Sequence, residues 1–111
     1  MANTFLRKTS RNIGLYLSPI GSYTVPSATA TTIIGLTCAN VLTTAITVDV
    51  VLYNTTNGST HIVKGATVPA GGSLVVVGGD QKVVMEAGDQ IMISSSASGS
   101  CDVIMSILEI T

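Results

Sequence analysis

Six carboxylates (Asp49, Asp80, Glu86, Asp89, Asp102 and Glu109), two cysteines and one histidine, His61, are the groups in this 111-residue chain that could do acid–base or metal chemistry near neutral pH. Nucleophilic or general-base catalysis needs a base within hydrogen-bond reach of a nucleophile. Serines are plentiful, but none sits in a GxSxG elbow. His61 lies between Thr60 and Ile62 in a strand-like run, the setting of a solvent-facing side chain. The chain is read as no enzyme, with no catalytic residue and no cofactor assigned. Asp80, Glu86 and Asp89 sit in two turns around one short strand and could offer oxygen ligands to a hard cation. Gly-Asp pairs are ordinary turn chemistry, however, and no DxDxDG loop is present. Gly71-Gly72 and Gly78-Gly79 are followed by no helix, so they are not phosphate cradles.

Cys38 and Cys101 lack CxxC spacing, and a lone histidine cannot complete an ordinary zinc site. Each lies in an apolar run and reads as a small buried hydrophobe. A bridge between them is open if the first core strand pairs near the last. Arg7, Lys8 and Arg11 form the one basic cluster, without the stacking aromatics that single-stranded nucleic acid would require. Contact with protein is favoured there over nucleic acid.

The elements that would position these groups are strands. Residues 45–53 alternate cleanly, with Ile46, Val48, Val50 and Leu52 on one face and Thr47, Asp49, Val51 and Tyr53 on the other. Asn57-Gly58 supplies a hairpin turn, and 60–68 returns. Further runs cover 12–17, 22–25, 33–40, 74–77, 82–85, 90–94 and 101–110. In the third of these with the threonines before it, Thr32, Ile34, Leu36 and Cys38 are expected on one face and Thr31, Ile33 and Thr37 on the other. Gly78-Gly79-Asp80-Gln81 is read as a turn, and the Ser/Gly loop 95–100 as the connection of a hairpin between 90–94 and 101–110. Turn signals recur about every 8–12 residues, and no window carries a helical period, which leaves helix for a turn in 27–32 or 41–44. The expected fold is all-β: an antiparallel sandwich of about eight short strands, jelly-roll-like or Ig-like, over residues 12–111. A flexible, polar arm over 1–11 precedes it.

Charged residues make up 10% of the chain and net charge is −1. Little self-repulsion keeps such a chain apart from its own copies. No stretch reaches the ~20 apolar residues of a membrane helix, so no membrane partner is expected. Residues 1–11 have no apolar signal-peptide core, which points to cytoplasmic synthesis. Phe5 and Leu6 are its apolar anchors, with Arg7, Lys8 and Arg11 as further contacts to a neighbouring molecule. The last run places Cys101, Val103, Met105 and Ile107 on one face and Ile104, Leu108 and Ile110 on the other. A strand apolar on both sides is central in a sheet, or has its outer face covered by a neighbour, which makes Ile104 and Leu108 candidate assembly contacts.

Over about residues 12–110, the order of Tyr23-Thr24-Val25-Pro26-Ser27, Ile33-Ile34-Gly35-Leu36-Thr37-Cys38-Ala39-Asn40, Ile46-Thr47-Val48-Asp49-Val50, Val68-Pro69-Ala70-Gly71-Gly72-Ser73-Leu74, Met85-Glu86-Ala87-Gly88-Asp89-Gln90-Ile91 and Val103-Ile104-Met105-Ser106-Ile107-Leu108-Glu109-Ile110 resembles the small β-sandwich virion proteins of tailed bacteriophages, particularly those of cyanophages and other marine phages. The resemblance implies a non-enzymatic structural subunit: a capsid decoration or cement protein, a neck or head–tail connector part, or a tail or fibre component. It further implies a homo-oligomer, such as a trimer or ring, that docks on other virion proteins such as the major capsid or neck and tail proteins. It places the chain in the virion, after synthesis in the cytoplasm of the host bacterium. Two rivals of other classes are a carbohydrate- or ligand-binding sandwich built on Tyr16, Tyr23 and Tyr53, and a small enzyme built on His61.

Overall fold

The computed structural model describes residues 3–56, 58–78 and 82–111. In chain order it has β1 (Asn3–Ile13), β2 (Ser18–Pro19), a single 3-10 turn (Ile20–Ser22), β3 (Ala30–Asn40), β4 (Ile46–Asn54), β5 (Gly58–Val68), β6 (Ser73–Val77), β7 (Val83–Met85), β8 (Gln90–Ser95) and β9 (Cys101–Ile110). One sheet has the order β1-β9-β3-β6, with β7 also pairing β3; the other has the order β2-β8-β4-β5. Every pairing is antiparallel. The chain therefore passes between the sheets repeatedly, and the two strand orders are those of a jelly-roll sandwich with β7 added.

The core follows from alternation. Along β9, Cys101, Val103, Met105 and Ile107 are buried between the sheets. They meet Ile33, Leu36 and Cys38 of β3, Val48 and Val50 of β4, and Ile91 and Ile93 of β8 in one cluster. The period-two segment around Ile46–Asn54 forms its hairpin with β5 as its pattern predicts, from Asn54 opposite Gly58 to Ile46 opposite Val68. Gly58 takes φ +78, where a side chain would be strained. Its turn partner Asn57 lies outside the described residues, as do 79–81, so the turn expected over 78–81 and Asp80 as a cation ligand lie there too.

Several expectations are corrected. The loop at 96–100 does not close a hairpin: β8 belongs to the four-stranded sheet and β9 to the five-stranded one. The loop is an arch across the sandwich. Its feet are tied by a hydrogen bond between the Ser95 and Ser100 hydroxyls, and Ser100 N–H donates to the Ile13 carbonyl at 3.0 Å. In place of the flexible arm expected over 1–11, Asn3–Ile13 run as β1 along the whole of β9, with Asn3 opposite Ile110 and Ile13 opposite Cys101. Without β1, one edge of β9 would leave its backbone N–H and C=O groups unpaired beside the core. Residues 14–17 are consequently a loop and not a strand, and Tyr23–Val25 belong to no sheet. The helical turn falls at Ile20–Ser22, outside both segments expected to hold one. In β3 a bulge between Ile33 and Gly35 shifts the register, so Thr31 and Ile33 face inward with Leu36, Cys38 and Asn40, and strict alternation fails there.

Candidate assembly face

The register places the outward-facing residues of the five-stranded sheet in rows. Phe5 lies opposite Leu108, Leu108 opposite Thr32, and Thr32 opposite Val84, a line across four strands. Two residue pairs further along, Thr9, Ile104, Thr37 and Val75 form a second line. Each strand's pleat decides which side chains belong here. Ile104 sits between buried Val103 and Met105 yet is 54% exposed, and Phe5 is 72% exposed beside an inward Leu6. Val75 and Val84 are likewise exposed between inward neighbours. Lone exposed apolar side chains need no explanation, but four large ones share this one face, in two rows separated by the row of Arg7, Ser106 and Gly35.

The seven residues expected to contact a neighbour are thus divided by the structure. Phe5, Arg7, Arg11, Ile104 and Leu108 lie on the outward side of this sheet. Leu6 instead packs against the chain's own core. Lys8 is also on the inward side, where its Nζ stands 5.3 Å from the centre of the Tyr23 ring. Close by, Gly21 at φ +61 passes so near β1 that a Cβ there would lie 2.8 Å from that of Lys8, and its N–H donates to Ser10 Oγ at 2.7 Å.

The remaining candidate chemistry resolves into structural clamps. Both carboxylate oxygens of Asp89 are occupied: Oδ1 accepts from Asn54 Nδ2 at 2.7 Å and Oδ2 from Glu86 N–H at 2.9 Å. They close the turn whose Gly88 takes φ +87, as expected of a turn-forming acid. A cleft of about 440 Å³ beside them is lined by Leu52, Thr60 and Val84 as well as Glu86 and Asp89, and by no aromatic ring. Among the described residues no three His, Cys, Asp or Glu side chains come together as metal ligands. His61 is exposed on β5, opposite Val51.

The tyrosines do not converge. Tyr23 is buried, its hydroxyl donating to Glu109 Oε2 at 2.6 Å and bonded to Thr31 Oγ1 at 2.8 Å. Burial, and then the bond to Glu109, pushes that hydroxyl up to about 12. Tyr16 is in the β1–β2 loop, whereas Tyr53 lies near the far end of β4. The two cysteines do come together, on adjacent strands β3 and β9, as free buried thiols. The hydrogen bond between them, and then burial, raises the Cys101 thiol far above its ordinary range, so it is a protonated core group.

The end of the sandwich that carries the β1–β2 loop went unnoticed in the sequence. Four loops meet there: Ser95 N–H donates to the Gly14 carbonyl, Val41 N–H to Ser100, and Asn40 N–H to Gly72. Buried Asn40 is the hub. Its Nδ2 donates to the carbonyls of Thr44, Val68 and Pro69, and its Oδ1 accepts from Leu42 N–H. Leu15, Tyr16, Leu17 and Val41 are exposed at this end. Their signal was present as three consecutive large apolar residues, but it read as strand.

No family model and no curated protein matches the chain. Solved structures do resemble it. A chain from the Bacillus endospore appendages, which form a novel family of disulfide-linked pili, aligns over 100% of this chain and 91% of its own with TM-score 0.53 and 15% identity. A chain from the Gx strain of infectious bursal disease virus aligns over 96% of this chain and 32% of its own with TM-score 0.56 and 12% identity. At these identities the likeness is one of fold: the chain shares its β-sandwich with proteins of a pilus and of a virus.

Proposed function

We propose that this chain is a non-enzymatic structural subunit that packs against copies of itself and against other proteins of a larger particle through the outer face of its five-stranded sheet. One observation carries the reading. Ile104, on the central strand of the sheet, presents an aliphatic side chain to solvent in line with Val75, while Phe5, Leu108 and Val84 form a parallel row. Large apolar side chains exposed on one sheet face of a chain this poor in charge are suited to being covered. The particle in this reading is the virion of a tailed phage, with the chain as a capsid decoration or cement protein. A neck, connector or tail position is the alternative. The order of sequence elements and the jelly-roll fold support that placement. Both thiols are buried, so contact between subunits is non-covalent here, unlike the disulfide-linked pili that share the fold.

Light scattering over a concentration series tests the reading, together with co-sedimentation with phage heads. Mass rising above the 11.3 kDa of one chain, and recovery in the particle fraction, are expected. A chain that stays at monomer mass and in the supernatant contradicts the reading. Electron-microscopy density over the capsid lattice marks decoration, and density at one vertex marks the neck.

A further inference from the structure

We infer that the outer face of the five-stranded sheet receives the uncharged loop end of a second copy, in a head-to-face contact that repeats from subunit to subunit. The inference rests on the assembly reading above and names both surfaces. The exposed large apolar side chains of the described residues number eight, and they fall into two groups. Phe5, Val75, Val84 and Ile104 lie on the sheet face; Leu15, Tyr16, Leu17 and Val41 lie on the loop end.

Charge decides which surface meets which. The face carries Arg7 and Arg11 on β1 and Asp102 on β9. Packing two such faces together about a two-fold axis would confine both pairs of arginines in one layer, with a net positive charge to desolvate. The loop end adds no charge of its own, so it brings no like charges together. Residues 14–17, 41–45, 69–72 and 96–100 include no Lys, Arg, Asp, Glu or His. Set against the sheet, this end leaves Arg7 and Arg11 facing no like charge.

Shape agrees with charge. Where β1 bulges between Ser10 and Ile13, Thr9, Arg11, Asp102 and Ile104 border a cavity of about 270 Å³ on the sheet. That is just below the ~300–1,000 Å³ of small-molecule pockets, a size for one inserted side chain. Tyr16, 84% exposed at the tip of the loop, is the side chain that fits. Its ring would lie on Ile104 while its hydroxyl reached the guanidinium of Arg11 or the carboxylate of Asp102, the apolar body and polar tip that make tyrosine an anchor at interfaces. Because the knob and the hole are different surfaces, the contact is heterologous, and such contacts build rings or filaments.

The test uses two variants that damage opposite partners. Tyr16→Ser removes the knob. Thr9→Arg, at an exposed position, fills the hole without touching the core, and Ile104→Asp is a second hole variant should the first fold poorly. Each alone should weaken association about 30-fold or more, the effect of losing an interface anchor. Mixed in equal amounts, the knob variant still has an intact face and the hole variant an intact tip, so light scattering should show discrete pairs of twice the monomer mass. A Tyr16→Ser protein that assembles like wild type, or a mixture that stays monomeric, overturns the inference while wild-type association still upholds the assembly reading. A wild-type chain that never associates overturns both.

Discussion

The two sheets of this sandwich share one core but turn different surfaces outward. On the four-stranded sheet the outward positions of β4 and β8 are Thr47, Asp49, Val51, Tyr53, Gln90, Met92 and Ser94, none of the apolar ones strongly exposed. Its one outward aliphatic on β4, Val51, is flanked by His61 and Met92 and is fully buried in the sheet's own surface. On the five-stranded sheet the outward positions include Phe5, Val75, Val84 and Ile104, all exposed, among Arg7, Thr9, Thr32, Thr37 and Ser106. An antiparallel sheet with one face in water alternates apolar inside with polar outside. The four-stranded sheet covers its outward apolar side chains and the five-stranded sheet leaves its own exposed, although the same chain builds both. Folding alone gives no reason for the difference, whereas a partner on one side does.

The comparison can be broken or sharpened at several places. The largest stability effect belongs to the shared core: Met105→Ala should cost roughly 2–5 kcal/mol and lower Tm by about 15 °C in a thermal melt. Next, Asn40→Ala strips three backbone carbonyls of their donor and Leu42 N–H of its acceptor. A loss of about 3 kcal/mol in denaturant titration is expected. Because the hub fixes the loop end, association should weaken with it. Tyr23→Phe should lose about 1 kcal/mol, since Glu109 and Thr31 lose a partner. Its pH signature has a definite sign. The hydroxyl is raised in the folded chain, so its contribution is complete below pH 10 and is lost as pH climbs from 10 through about 12. Wild type should therefore lose more stability than the phenylalanine variant over that window. The smallest effect is expected at Thr47→Asp, an exposed change on the polar sheet: within about 0.5 kcal/mol, with association unchanged. Lost association there would erase the distinction between the sheets.

How much of this was legible in the residues depends on the kind of information each feature carries. The β4–β5 hairpin was readable because a strict period of two ends at a glycine that can take positive φ, and both signals are local. The β8–β9 arch was not. A short polar loop between two apolar strands looks the same whether the strands pair or cross between sheets, and the choice is made by distant pairings of β8 with β4 and β9 with β3. β1 was hidden by its charges: Arg7 and Arg11 point outward, and Lys8 lies inward with its ammonium over the Tyr23 ring. The two-sided character of β9 was plain from alternation, which is why Ile104 and Leu108 could be singled out. Phe5 was named from the sequence as a contact to a neighbour, but its row with Leu108 and Val84 exists only through register. The loop end combines 14–17 with 41–45 and 96–100, segments far apart in the chain, and no local pattern joins them.

The most direct test of the central claim is a paired measurement on Ile104→Asp: thermal unfolding by circular dichroism at low concentration, and mass by light scattering at high concentration. If the outer face is an assembly surface, the variant melts within a few degrees of wild type and remains at the 11.3 kDa of one chain where wild type grows. If the variant unfolds, Ile104 serves the fold; if it folds and still assembles with wild-type mass, this face is not the one that is covered, and the account is contradicted.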